Sequence, residues 1–207
     1  RLHFCHLSTA ASVRAARGTV EVTPHHLFLS RENFDPDETR ARVNPPLRDE
    51  VTRRNLWSCW DRIDVVASDH APHTFQEKGV PFETAPSGIP PGVETMVPLL
   101  MAAVQQGRIT LASVIEKTSW RPAAILGIPR AGFEPGDRAD YALYPDEITR
   151  IDAPTSTQSA AGRRSKGSTR SSHKRWSSGG NAGLRPRRSP GSLCSVVSRA
   201  RIFIFAE

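Results

Sequence analysis

An α/β fold built on parallel strands is what this sequence predicts. Strand-like and helix-like segments alternate over residues 1–153, the pattern of chained β–α units. Residues 63–67 (Ile-Asp-Val-Val-Ala) form a near-continuous apolar run, as a parallel strand covered on both faces requires. Long loops follow the predicted strands at their C-terminal ends, where α/β enzymes place their chemistry.

Residues 2–7 (Leu-His-Phe-Cys-His-Leu) read as the first strand, with Cys5 expected to be buried in it. Ser8 or Thr9 can cap a short helix to about Arg17, and Gly18 suits its C-terminal cap. Residues 19–23 (Thr-Val-Glu-Val-Thr) alternate and are β-branched, which predicts a second strand. Residues 24–48, rich in Pro, Asp and Arg, predict a long loop. Asp49 to about Trp60 predicts a helix with Val51, Leu56 and Trp57 on its apolar face. After the strand at 63–67, Pro72, Pro81, Pro86, Pro90 and Pro91 break the segment 70–92 and prevent one continuous helix. Val93–Gln106 predicts a strongly apolar helix ending at Gly107, and Leu111–Trp120 a second. Pro122 fits the first turn of a third, and residues 139–144 predict a last strand.

The chain has 207 residues, enough for one domain of moderate size or part of a larger one. No apolar run reaches 18 residues, so no membrane-spanning helix is expected, and no signal-peptide pattern opens the chain. The three cysteines, Cys5, Cys59 and Cys194, are odd in number and irregularly spaced, which argues for a reducing, cytoplasmic setting. The net charge of +7 is unevenly placed: residues 154–207 carry 11 Lys/Arg and one acid. Subtracting these from the totals of 28 basic and 21 acidic residues leaves 17 and 20, a slightly acidic body of about −3. The segment 154–192 is rich in Ser, Gly and Arg and nearly free of aliphatics, so it is expected to be disordered.

The most informative run is Ala67-Ser68-Asp69-His70-Ala71-Pro72-His73. An acid and two histidines emerge where an apolar strand ends. A carboxylate there can bind a metal and accept a proton from metal-bound water. His25 and His26 tempt as a metal pair, but adjacent residues of a strand point to opposite faces. They are expected to be structural.

Several motifs line up in order: His3-Phe4-Cys5-His6-Leu7-Ser8-Thr9, then Glu21-Val22-Thr23-Pro24-His25-His26-Leu27-Phe28-Leu29, then Arg42-Val43-Asn44-Pro45-Pro46-Leu47-Arg48. The run at 67–73 follows, then Ala85-Pro86-Ser87-Gly88-Ile89-Pro90 and Gly92-Val93-Glu94-Thr95. This set resembles the C-terminal half of a class I dihydroorotase, in the amidohydrolase superfamily. The resemblance implies a partial (β/α)8 TIM barrel of the metal-dependent hydrolase type over residues 1–130. It implies the start of a small β-sandwich segment over 131–153, followed by the disordered basic tail, 154–207.

The resemblance implies reversible interconversion of N-carbamoyl-L-aspartate and L-dihydroorotate in pyrimidine biosynthesis, with zinc as cofactor. His6 matches a zinc ligand. Asp69 matches the carboxylate that contacts zinc and shuttles the proton. Asn44 and His73 match substrate-binding positions, and Ser87 and Gly88 a loop whose backbone meets the substrate. The residue types suit the chemistry, since neutral imidazole binds zinc well and a nearby carboxylate is a competent base.

The chain also departs from the family pattern. The H-x-H ligand pair, the bridging carboxylate, a further histidine ligand and the substrate-binding arginine of the family have no counterpart here. The stretch Ser8–Gly18 is short for a crossover between parallel strands, which normally takes a dozen or more residues. From Pro154 on, the family's pattern gives way to the Arg/Ser/Gly tract, as out-of-frame translation beyond residue 153 would produce. The expectation is an incomplete fragment, inactive alone, with a missing N-terminal half or a homo-oligomer as partner. Two alternatives stand beside it: another cyclic amidohydrolase of allantoinase or hydantoinase type, and a nucleic-acid-binding protein acting through the tail. Trp176 is the one aromatic between 154 and 202, so base-stacking platforms are scarce.

Overall fold

The computed structural model describes residues 1–89, 92–132, 134–135, 137, 142–144 and 202–204. Three parallel strands lie in the order β1 (His3–Phe4), β2 (Thr19–Val22), β3 (Val65–Val66). His3 pairs with Thr19, Phe4 with Val20, Glu21 with Val65 and Val22 with Val66. The ladder continues past the strand ends, since Leu7 donates to the Glu21 carbonyl and Ala67 to the Val22 carbonyl. The α/β class and the parallel sheet are as expected.

The short crossover between β1 and β2 closes through a compact helix, α1 (Ala10–Ala15). Thr9 caps it by accepting from the Ser12 amide. Gly18 does not cap this helix; Ala16 occupies that position. Glycine is needed at 18 for another reason: a Cβ there would stand 2.3 Å from the Leu2 carbonyl oxygen, where the crossover meets the first strand.

The segment 24–48 is more structured than its composition predicts. It opens with α2 (Pro24–Phe28) and holds two 3₁₀ turns, Arg31–Asn33 and Thr39–Ala41. Thr23 caps α2, with Pro24 in its first turn. His25 and His26 are therefore helical neighbours, and the strand alternation expected for them does not apply.

The next helix, α3 (Glu50–Trp57), is capped by Asp49. Leu56 and Trp57 are buried, but Val51 is 61% exposed and lies off the apolar face. The indole of Trp57 donates to the Leu27 carbonyl at 2.6 Å, which ties the end of α2 to α3. Trp57 also stacks on Trp60 at a centroid distance of 5.5 Å and meets Phe28 edge-on.

A short helix, α4 (Phe75–Lys78), interrupts the loop after β3. The long apolar helix α5 (Gly92–Gln105) matches its expected span closely. The predicted helix 111–120 begins as α6 (Leu111–Ile115), widens into a π-helical turn at Glu116–Trp120 and runs on as α7 (Arg121–Leu126), with Pro122 in its first turn.

One core joins these elements. Val13 of α1, Val20 and Val22 of β2, Leu27 of α2, Leu56 of α3, Val66 of β3, Leu100 of α5 and Val114 of α6 are all buried within it. Burying each such side chain stabilises by about 1.5–3 kcal/mol. Strand β4 (Ala142–Tyr144) pairs antiparallel with β5 (Ile202–Ile204), which comes from within the segment expected to be disordered. The rest of that segment lies outside the described residues, as does most of 131–153.

Candidate metal and substrate site

The C-terminal ends of the three strands form one rim. His6 follows β1, the His25–His26 turn follows β2, and Asp69 follows β3. His6 (φ 43°) and Asp69 (φ 47°) are the two non-glycine residues with left-handed backbone among the described residues. That conformation is costly for a side chain with a Cβ, and such strain concentrates at functional sites. The Glu21 carboxylate holds the kink at His6, accepting from the His6 amide at 3.1 Å.

His6 Nδ1 is buried and has no hydrogen-bond partner, and the same is true of His25 Nε2. His25 Nε2 stands 3.6 Å from Asp69 Oδ2, too far for a hydrogen bond. His26 is fully engaged. Its Nε2 lies 2.8 Å from the Pro45 carbonyl, which can only accept, so Nε2 carries the proton. Nδ1 then accepts from the Thr23 hydroxyl at 2.7 Å. The structural role expected for His26 is thus visible, and it anchors the loop at the residue after Asn44.

Burial lowers the His25 pKa to about 3, with His26 and His6 pushing the same way. Burial also lowers His26 to about 4, partly opposed by the Pro45 carbonyl. Both rings are neutral near pH 7. Partial desolvation, then the Glu21 and Asp69 carboxylates, raise the Cys5 thiol above its usual value. Cys5 is exposed, against the expectation of a buried strand residue.

Two of the expected substrate-binding residues meet directly: His73 Nε2 lies 3.0 Å from the Ser87 carbonyl. Gly88 has φ +138°, and a Cβ there would lie 2.3 Å from the Ala71 Cβ, so the 85–89 loop packs tightly over the 69–73 loop only with glycine at this point. Asn44 is exposed on the facing loop. Lys78 is buried and donates to the carbonyls of Thr39, Arg42 and Pro86 at 3.1, 3.1 and 2.7 Å. Arg42 donates to the carbonyls of Ala85 and Glu83. These bonds hold the loop of Asn44 against the loop of Ser87 and Gly88.

The donor set fits a divalent metal. His6 Nδ1 and the half-exposed Asp69 carboxylate are donor types that suit zinc. Sequence reasoning missed Glu21, Lys78 and the approach of His25 to Asp69. All three depend on strand register or tertiary packing, which local sequence windows do not carry.

No family profile matches the chain. Among solved structures, dihydropyrimidinase from Brevibacillus agri superposes with TM-score 0.64 and 26% identity, covering 73% of this chain and 37% of that one. D-hydantoinase from Bacillus sp. AR9 gives TM-score 0.65 at 24% identity, over 75% and 38%. Both neighbours are TIM-barrel amidohydrolases, and this chain, α/β with a parallel sheet, is similar to them in fold. The sequence relatives are dihydroorotases. That of Pyrococcus furiosus is 45% identical over 147 residues, 68% of this chain and 34% of the relative. That of Halobacterium salinarum is 45% identical over 157 residues, 72% of this chain and 37% of the relative. The chain is a homologue of the dihydroorotases and spans about a third of the length of those it matches.

Proposed function

We propose that residues 1–153 are the C-terminal part of a dihydroorotase barrel, acting on the cyclic amide of L-dihydroorotate and, in reverse, on N-carbamoyl-L-aspartate. The observation that carries this reading is the pair His6 and Asp69, each in left-handed backbone at a strand end, with His6 Nδ1 buried and unbonded. His6 and Asp69 would hold zinc, which would supply an activated water. Asp69 takes up the proton released at the rim and returns it to the leaving nitrogen. Asn44 and His73 bind the acidic substrate, and the backbone at Ser87–Gly88 orients it.

A catalytic zinc takes about three protein ligands plus water. His6 and Asp69 supply two, and this reading places the remaining ligands in the part of the relatives that this chain does not match. The test is complementation. The chain is joined to the part of the Pyrococcus furiosus relative that it does not match, and dihydroorotate hydrolysis is assayed with zinc. The fused protein is expected to be active, and Asp69→Asn to lower kcat at least about a hundredfold. Activity indifferent to both His6→Asn and Asp69→Asn would refute the assignment. Hydrolysis of a hydantoin in place of dihydroorotate would move the substrate to the other branch of the superfamily.

A further inference from the structure

On the sheet face just before the rim, three further donors converge. His3 and Cys5 share one face of the first strand by the two-residue period, and the β1–β2 register puts Cys5 opposite Glu21. The ligand atoms of His3, Cys5 and Glu21 all lie within 4.8 Å of one another. His3 and Cys5 have no part in the site proposed above, and Glu21 touches it only by accepting from the His6 amide.

The hydrogen bonds around them orient two of the donors. The Thr19 hydroxyl donates to the Leu2 carbonyl. Its oxygen is then free to accept, and His3 Nδ1 lies 2.8 Å from it, so Nδ1 carries the proton. His3 Nε2 then faces Glu21 Oε2 at 3.2 Å: with a proton on Nε2 this is an ion pair, and without one two metal-ligand lone pairs face each other. A bound metal ion would take the place of that proton. Glu21 Oε1 is occupied by the His6 amide, which leaves Oε2 directed at His3. Both ligands are thus oriented from behind, as metal-binding side chains are.

We propose that His3 Nε2, Cys5 Sγ and Glu21 Oε2 form a second divalent metal site, selective for zinc-class ions. Nitrogen, thiolate and carboxylate donors suit zinc and cobalt over magnesium or calcium. A tetrahedral ion with bonds of about 2.0–2.3 Å needs donors about 3.3–3.7 Å apart, a closure that side-chain rotation of exposed Cys5 can provide. On binding, the Cys5 S–H bond breaks, a sulfur–metal bond forms and the proton leaves to solvent. Water completes the fourth position. The site does not depend on zinc at His6 and Asp69.

Titration of the full chain with cobalt(II) tests this. A thiolate-to-cobalt charge-transfer band saturating at one equivalent is expected. Cys5→Ser should abolish it, Thr19→Val should weaken binding about tenfold by removing the partner of His3 Nδ1, and Asp69→Asn should leave it in place. In the unmodified chain, zinc should protect Cys5 from alkylation by iodoacetamide, a readout that needs no variant. Absence of both the band and the protection would overturn the proposal and leave His3–Glu21 as an ion pair only. A band that survives Cys5→Ser would overturn it in favour of another cysteine. A band lost with Asp69→Asn alone would also overturn it, by placing the ion at the rim.

Discussion

The back of the sheet and its rim are held together by different forces. Behind the sheet, α1, α3, α5 and α6 close over aliphatic side chains such as Val13, Leu56, Leu100 and Val114. At the rim, cohesion comes from polar side chains reaching backbone carbonyls: Lys78 to three of them, Arg42 to two, His26 to Pro45. The aliphatic layer is indifferent to protonation and tolerant of small displacements. The polar layer is directional and sensitive to charge, and it holds the loop of Asn44 against the loop of Ser87 and Gly88.

The comparison can be broken most strongly from behind. Leu100→Ala removes a fully buried side chain from α5. It should cost about 2–5 kcal/mol in urea denaturation, and the loss should not change between pH 5 and 8.

Acid should act on the rim. The folded pKa values of His25 and His26, about 3 and about 4, lie below the ordinary 6.5. Between these limits the unfolded chain binds more protons than the folded one, so stability falls as pH drops below 6.5 and is fully present above it. Each histidine contributes a slope of about 1.4 kcal/mol per pH unit within that window. Denaturation midpoints measured from pH 7 to pH 4 check this, and His26→Gln should flatten the dependence.

Lys78→Met should cost about 1–3 kcal/mol, because the Pro86 carbonyl loses its ammonium partner while Thr39 and Arg42 keep backbone donors. Hydrogen exchange should quicken at Gly88, whose amide donates to Arg42, and stay unchanged in α5. Thr23→Ala should cost about 1 kcal/mol through loss of the α2 cap. Val51→Ala, on an exposed position, should change stability by less than about 0.5 kcal/mol.

The back of the molecule was far more legible in the sequence than the rim. Period and apolarity located α3, α5 and the three strands, because those signals are local. The segment 24–48 looked like loop because Pro and Asp are loop formers on average. Here Pro24 opens a helix behind the Thr23 cap, and burial of Leu27 keeps it folded. His6 and Asp69 could be picked out by motif. Their left-handed backbone, the bare Nδ1 of His6 and the approach of His25 come from long-range packing that no single window contains. Lys78 reads as a surface lysine in sequence and becomes a buried clamp only when two loops meet over it.

The central claim is that His6 and Asp69 face one metal at the strand ends. Zinc-edge anomalous diffraction from crystals of the chain fused to the complementary part of the Pyrococcus furiosus relative tests it most directly. A peak within bonding distance of a His6 ring nitrogen and an Asp69 oxygen is predicted. A rim without density, or an ion bound with those two side chains turned away, would contradict the account.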